Sequence, residues 1–162
     1  MVVKTNIKNY ELRITESQYS QLVQIAKKAY PNESAGLIFG NVSHENEENK
    51  DETFYIYVCK KIEEFESSKP SPVYFLLNDV ELVYRKWNQA QEEGYSLISI
   101  YHSHPNTAYP SGIDADYMQN IARVYPNIIW TIYGNGSKEL NGFILDSDTK
   151  IKRVKIQIGS KT

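Results

Sequence analysis

The stretch "YHSHPNTAYPSGIDAD", from Tyr101 to Asp116, holds two of the three histidines of the chain. His102 and His104 stand one residue apart, at the end of the apolar run "YSLISIY". On a strand, residues two apart share a face and lie roughly 6.6–7 Å apart along the chain. Two imidazoles at that spacing can lean onto one metal ion. Ser111-Gly112-Ile113-Asp114 follows and has the form of a capping box, with Ser111 as N-cap and Asp114 at the third helical position. The first turn of a helix would hold Asp114 rigidly, and a short loop would bring it back over the strand end. Two nitrogens and one oxygen on rigid elements, with a further position left for water, is the donor pattern of a catalytic zinc site rather than a closed structural one.

Such a site needs a base to take the proton of that water. Glu33 is the candidate. It leads from a Pro-Asn turn directly into the apolar "GLIFG", where amphipathicity gives no reason for a carboxylate, and Gly36 just beyond permits close backbone approach. Each piece also has a plain structural reading. Ser-x-x-Asp alone is a helix start, His-x-His alone is a weak metal signal, and Glu33 alone is equally an ordinary loop-end carboxylate. Their combination points to metal chemistry. His44, in the polar "NVSHENEENKDE", reads as a solvated loop histidine, and Cys59, in "FYIYVCKK", as a core thiol.

The elements that must position these groups follow from periodicity. "YELRI" alternates apolar and polar residues as a strand does. Thr15 and Gln18 form a capping box for a helix whose inner face is Tyr19, Leu22, Val23, Ala26 and Tyr30, ended by Pro31. "GLIFG" is a buried strand, "NVSHENEENKDE" an exposed loop and "TFYIYVCKKIEEF" a strand. After the turn "SSKPSP", a second helix starts near Asn78, presents Val80, Val83, Tyr84, Trp87 and Ala90 on one face, and closes at Gly94. Ile98, Ile100, His102 and His104 share one face of the next strand. A third helix runs from Ser111 or Gly112 to about Tyr125, with Ile113, Tyr117, Ile121 and Val124 inward and Pro126 as its stop. "NIIWTIY", "KELNGFILD" and "IKRVKIQI" are strands, the first two joined by a tight turn at "GNG". This order gives an α/β class, a mixed sheet flanked by helices. The length, 162 residues, fits one domain spanning 1–162.

Composition narrows the partners. Lys and Arg number 18 against 20 Asp and Glu, with no basic run, so nucleic acid is not an expected partner. No apolar run reaches membrane-spanning length, and "MVVKTNIKNYELRI" lacks the apolar core of a signal peptide. A single cysteine cannot form an internal disulfide. The expected compartment is the cytoplasm, with no membrane partner.

Taken together, Glu33 before a glycine-containing apolar strand, His102-Ser103-His104-Pro105, and Ser111-Gly112-Ile113-Asp114 resemble the motif of the JAMM, or MPN-plus, zinc metalloproteases, which carry a JAB domain. The segment "VYFLLNDVELVYRKWNQAQEEGYSLISIYHSHP" resembles their compact bacterial members, and the similarity covers about residues 10 to 146. One feature departs from the motif: the loop "PNTAYP" is one residue shorter than usual, which bears on where Ser111 sits. The resemblance implies a cytidine-deaminase-like α/β fold and a zinc ion held by His102, His104 and Asp114. It further implies Glu33 as general base and Ser111 as the hydrogen-bond donor to the oxyanion. The implied reaction is hydrolysis of the amide after the C-terminal glycine of a ubiquitin-like protein, in processing or deconjugation, including bacterial ubiquitin-like or defence pathways. An extended substrate tail would pair with a strand edge, offered by the "GLIFG" strand or by the segment around "SPVYF". Two other functions fit the same motif: a non-catalytic MPN-type interaction module and a zinc hydrolase of a small amide. The intact Glu33 argues against the former, since a structural zinc needs no base.

Overall fold

The computed structural model describes residues 6–46, 51–75, 79–146 and 149–159. Its elements are β1 (Ile7–Ile14), α1 (Glu16–Ala29), β2 (Ala35–Asn46), β3 (Glu52–Phe65), α2 (Val80–Glu92), β4 (Ser96–His104), α3 (Gly112–Val124), β5 (Ile129–Gly134), β6 (Glu139–Leu145) and β7 (Ile151–Ile158). The fold is mixed α/β, and its sheet closes on itself in the order β1-β3-β2-β4-β5-β6-β7. Closure runs through β7: its first half pairs antiparallel with β6 and its second half parallel with β1. A parallel pair needs a long crossover, and α3 supplies the one between β4 and β5.

Alternation along the strands divides the core in two. Ile129 and Tyr133 of β5 join Leu22, Ile25 and Ala26 of α1 in one cluster. Trp130 and Ile132 join Ala90 of α2 and Met118 of α3 in the other. The histidines lie on the second side, where the ring of His102 meets Trp130 edge-on at 6.3 Å.

Several sequence expectations are corrected. The stretch 41–46 is not loop but the outer half of β2, paired with β3 through Asn46↔Thr53, because an exposed polar strand lacks the apolar alternation that would reveal it; residues 47–50 lie outside the described residues. Ile25 takes the place expected of Tyr30, which is exposed. The cap of α2 is Asp79, whose carboxylate accepts from Leu82 N, and Asn78 lies outside the described residues. On α2, Ala90 is buried whereas Val80 and Tyr84 are exposed. Ile98 does not share the face of Ile100: the β2–β4 register shifts between Ile38 and Phe39, leaving Ile98 as the extra residue of a bulge that turns it into the α1 cluster. On α3, Ile113, Tyr117 and Val124 are exposed, and the buried face is Asp114 and Met118, one turn apart.

Candidate metal centre

Four buried polar groups meet at the end of β4: Glu33, His102, His104 and Asp114. His102 and His104 are carried on one face of β4, fixed by its pairing with β5 through His102↔Ile132 and His104↔Gly134. Their Nε2 atoms are 3.1 Å apart. His104 Nδ1 lies 3.1 Å from the Thr107 carbonyl; in the neutral ring, donating there leaves the Nε2 lone pair facing the centre.

Asp114 arrives from α3. The capping box is complete: Asp114 N donates to Ser111 Oγ at 3.1 Å and Ser111 N to Asp114 Oδ2 at 2.8 Å. The box fixes Asp114 in the first turn, and its contacts with the two imidazoles are why α3 buries the Asp114 face rather than the more apolar one. Asp114 Oδ1 is 3.2 Å from His102 Nε2, and Oδ2 is 3.0 Å from His104 Nε2. The short loop between His104 and Ser111 does not prevent this. It packs on the β5–β6 turn, where a Cβ at Gly134 would come within 2.7 Å of Thr107 C. Asn141 Nδ2 binds the Ala108 carbonyl at 3.1 Å.

Glu33 enters from the residue pair before β2. Its N–H donates to the Ser71 carbonyl at 2.8 Å, and its Oε2 lies 4.0 Å from His104 Nε2. The close approach expected at Gly36 is to β3, since a Cβ there would lie 2.7 Å from the Glu63 carbonyl oxygen. Sequence reasoning missed the support beneath these groups: Thr107, whose carbonyl orients His104, and the buried Ser34 and Ser103, which join to each other. The signal for Ser103 was its place between the two histidines on a buried strand.

The two carboxylates are pushed in opposite directions. Burial raises Glu33 to about 7, with Asp114 adding to the rise and His104 opposing it. Burial also disfavours an ionised Asp114, but hydrogen bonds from His102 and His104 outweigh it and hold its carboxyl well below the usual carboxylate range. Burial disfavours the His104 imidazolium, yet Asp114 and Glu33 together leave its pKa above the ordinary value. Two neighbouring carboxyls so separated can divide the work, one a permanent anion and the other a proton carrier near neutrality.

The donor chemistry fits a metal. Glu33, His102 and His104 offer ligand atoms within 4.8 Å of one another. The tighter set is His102, His104 and Asp114, at 3.0–3.2 Å. A tetrahedral ion bound at about 2.0–2.1 Å separates its ligand atoms by about 3.3 Å, close to these spacings. Two cavities meet here, sharing Glu33, Val73 and Ile113: one of about 460 Å³ beside His104 and Ser111, and a narrower one of about 150 Å³ against His102, Ile100 and Trp130. A larger cavity of about 550 Å³, lined by Arg13, Tyr55 and Lys152, shares no residue with them.

A family model of prokaryotic homologues of the JAB domain matches residues 15–144. The chain belongs to that family. The solution structure of protein DSY2949 from Desulfitobacterium hafniense is similar, with a TM-score of 0.66 and 20% identity over 94% of each chain. That likeness is one of fold. No curated protein matches the sequence. Among the described residues, no helix is long and apolar enough to cross a membrane.

Proposed function

We propose that this chain is a zinc-dependent hydrolase of amide bonds, an isopeptidase or peptidase of the JAMM type. It takes residues 1–162 as one domain with a cytidine-deaminase-like arrangement, working in the cytoplasm. His102, His104 and Asp114 would hold the zinc. The observation that carries this reading is the buried juxtaposition of these three residues with a second carboxylate, Glu33, 4.0 Å from His104. Zinc bound there would lower the pKa of its water towards about 7 and polarise the scissile carbonyl. Glu33, a buried carboxyl beside the centre, can accept a proton and return it to the leaving nitrogen. A purely structural centre has no use for such a group. Ser111 Oγ accepts the Asp114 N–H as a helix cap, and its own proton stays free to donate to an oxyanion.

The substrate is a ubiquitin-like protein or its conjugate, cut after the C-terminal glycine. The paired cavities give an extended tail a path past Val73 and Ile113 on both sides of the centre. A residue without a side chain lets the backbone approach most closely there. The edge expected from "GLIFG" is corrected: residues 35–40 are paired on both sides, with β3 and with β4. The segment around "SPVYF" is not a strand, but Pro72, Val73, Tyr74 and Phe75 wall the cavities. The test fuses a short peptide to the terminal glycine of a ubiquitin-like protein and follows its release by mass spectrometry. Release at the glycine is expected. Equal cleavage with a bulky residue in its place would overturn the substrate assignment.

A further inference from the structure

Ser34 follows Glu33, and Ser103 separates the two histidines; both are buried, at 4% and 0% exposure. They are joined three times. Ser34 N donates to Ser103 Oγ at 3.0 Å, Ser103 N donates to the Ser34 carbonyl at 3.0 Å, and the two hydroxyl oxygens are 2.6 Å apart. Either serine hydroxyl can be the donor in the bond between them. On β4, two residues before Ser103, the Tyr101 hydroxyl donates to the Leu22 carbonyl of α1 at 2.7 Å. Interrupting these buried bonds leaves polar groups unsatisfied in low dielectric.

The clip sits where the sheet opens. The β2–β4 ladder stops at Ala35↔His102. Beyond it, β4 continues against β5 as far as His104↔Gly134, while the chain before β2 bends away to Glu33. The serines take over from the ladder at that parting. The imidazoles have their own supports, β5 and the Thr107 carbonyl, and Asp114 has its cap. Glu33 is held through its backbone, by Ser71 on one side and the clip on the other.

We propose that Ser34 and Ser103 are positioning residues that set the distance from Glu33 to the metal centre while touching neither metal nor substrate. This rests on the reading of Glu33 as the base. Loosening the clip displaces Glu33 and leaves the donor set in place.

The test compares Ser34→Ala, Ser103→Ala and the double variant in the full chain. In cobalt(II)-loaded protein, affinity and visible spectrum should match the unaltered chain. The Glu33 and Ser34 amides should exchange with deuterium at least about tenfold faster, while the His102 and His104 amides keep their protection. In zinc-loaded protein acting on a ubiquitin-like protein with a peptide after its terminal glycine, kcat should fall about 10–100-fold at unchanged KM. The double variant should lose no more than either single one, because the two serines act as a unit. A fall in cobalt affinity or an altered spectrum would make the clip a support of the ligands instead. Unchanged exchange at Glu33, or full kcat in the folded fraction, would overturn the proposal. If the unaltered chain cleaves no such fusion, the functional reading fails, and the exchange and cobalt measurements still decide whether the clip positions Glu33.

Discussion

Helices α1 and α3 begin with the same device. Thr15 and Ser111 accept the N–H three residues on, at 3.0 and 3.1 Å, and Gln18 and Asp114 accept the N–H of the cap, at 2.9 and 2.8 Å. What the third residue does with its remaining capacity differs. Gln18 is a neutral amide, and its Nε2 donates to the Cys59 carbonyl at 3.1 Å, tying α1 to β3. Asp114 is a carboxylate with only acceptors, and it turns them on two imidazoles. A capping box is therefore neutral as to function. It becomes part of a site when its third residue is charged and the sheet sets complementary groups opposite it.

The largest expected effect tests that complementary side. The double variant His102→Ala, His104→Ala should lose zinc and hydrolysis together, measured by elemental analysis of untagged protein. Near-stoichiometric zinc persisting there would break the assignment. Asp114→Asn keeps the acceptor for Ser111 N but removes the charge. We expect at least about a 100-fold loss of zinc affinity by competition with a chelator, above the loss typical of outer-shell changes. Gln18→Ala should leave that affinity where it was.

Glu33→Gln should retain zinc and lower turnover by about 10²–10⁴, since an amide cannot carry the proton. Near-normal turnover would remove Glu33 from the role of base. Ser111→Ala and Thr15→Ala set the two helix starts directly against each other. Both should cost about 0.5–2 kcal/mol of stability in denaturant titrations. Only Ser111→Ala should also reduce turnover, by about 10²–10³ with zinc unchanged. Equal specific activity in the two would return Ser111 to the plain role that Thr15 has.

The last effect is a matter of pH. Folding raises Glu33 from 4.5 to about 7, so its neutral form is favoured in the folded state. The associated stability is fully present below pH 4.5 and is lost as pH rises through about 7. Above that, the folded chain holds a carboxylate its surroundings disfavour. Glu33→Gln should accordingly stabilise the metal-free protein by about 2–3 kcal/mol at pH 8 and by little at pH 4. The same gain at both values would mean that the ionisation of Glu33 is not its source.

The sequence alone determined what short-range forces govern. Thr15 and Gln18, Ser111 and Asp114, and the stop at Pro126 were legible because caps and breakers act within about four residues. His102 and His104 were legible as a pair because a strand puts alternate residues on one side. Apolar periodicity misled on α3, where Ile113, Tyr117 and Val124 look like a core face yet stand exposed, two of them beside the cavities. There the orientation was decided by Asp114 meeting the imidazoles. The polar outer half of β2 was likewise invisible, since its strand conformation comes from pairing with β3.

Only the tertiary structure decided that Glu33 belongs to this centre. Its distance from His104 depends on the β2–β4 register Ala35↔His102, on a bulge at Ile98 and on Ser34 meeting Ser103 across 69 positions of chain. No local rule fixes such a register. It is set by the packing of both core clusters at once, and a slip of one residue would turn every side chain of the strand to the opposite face.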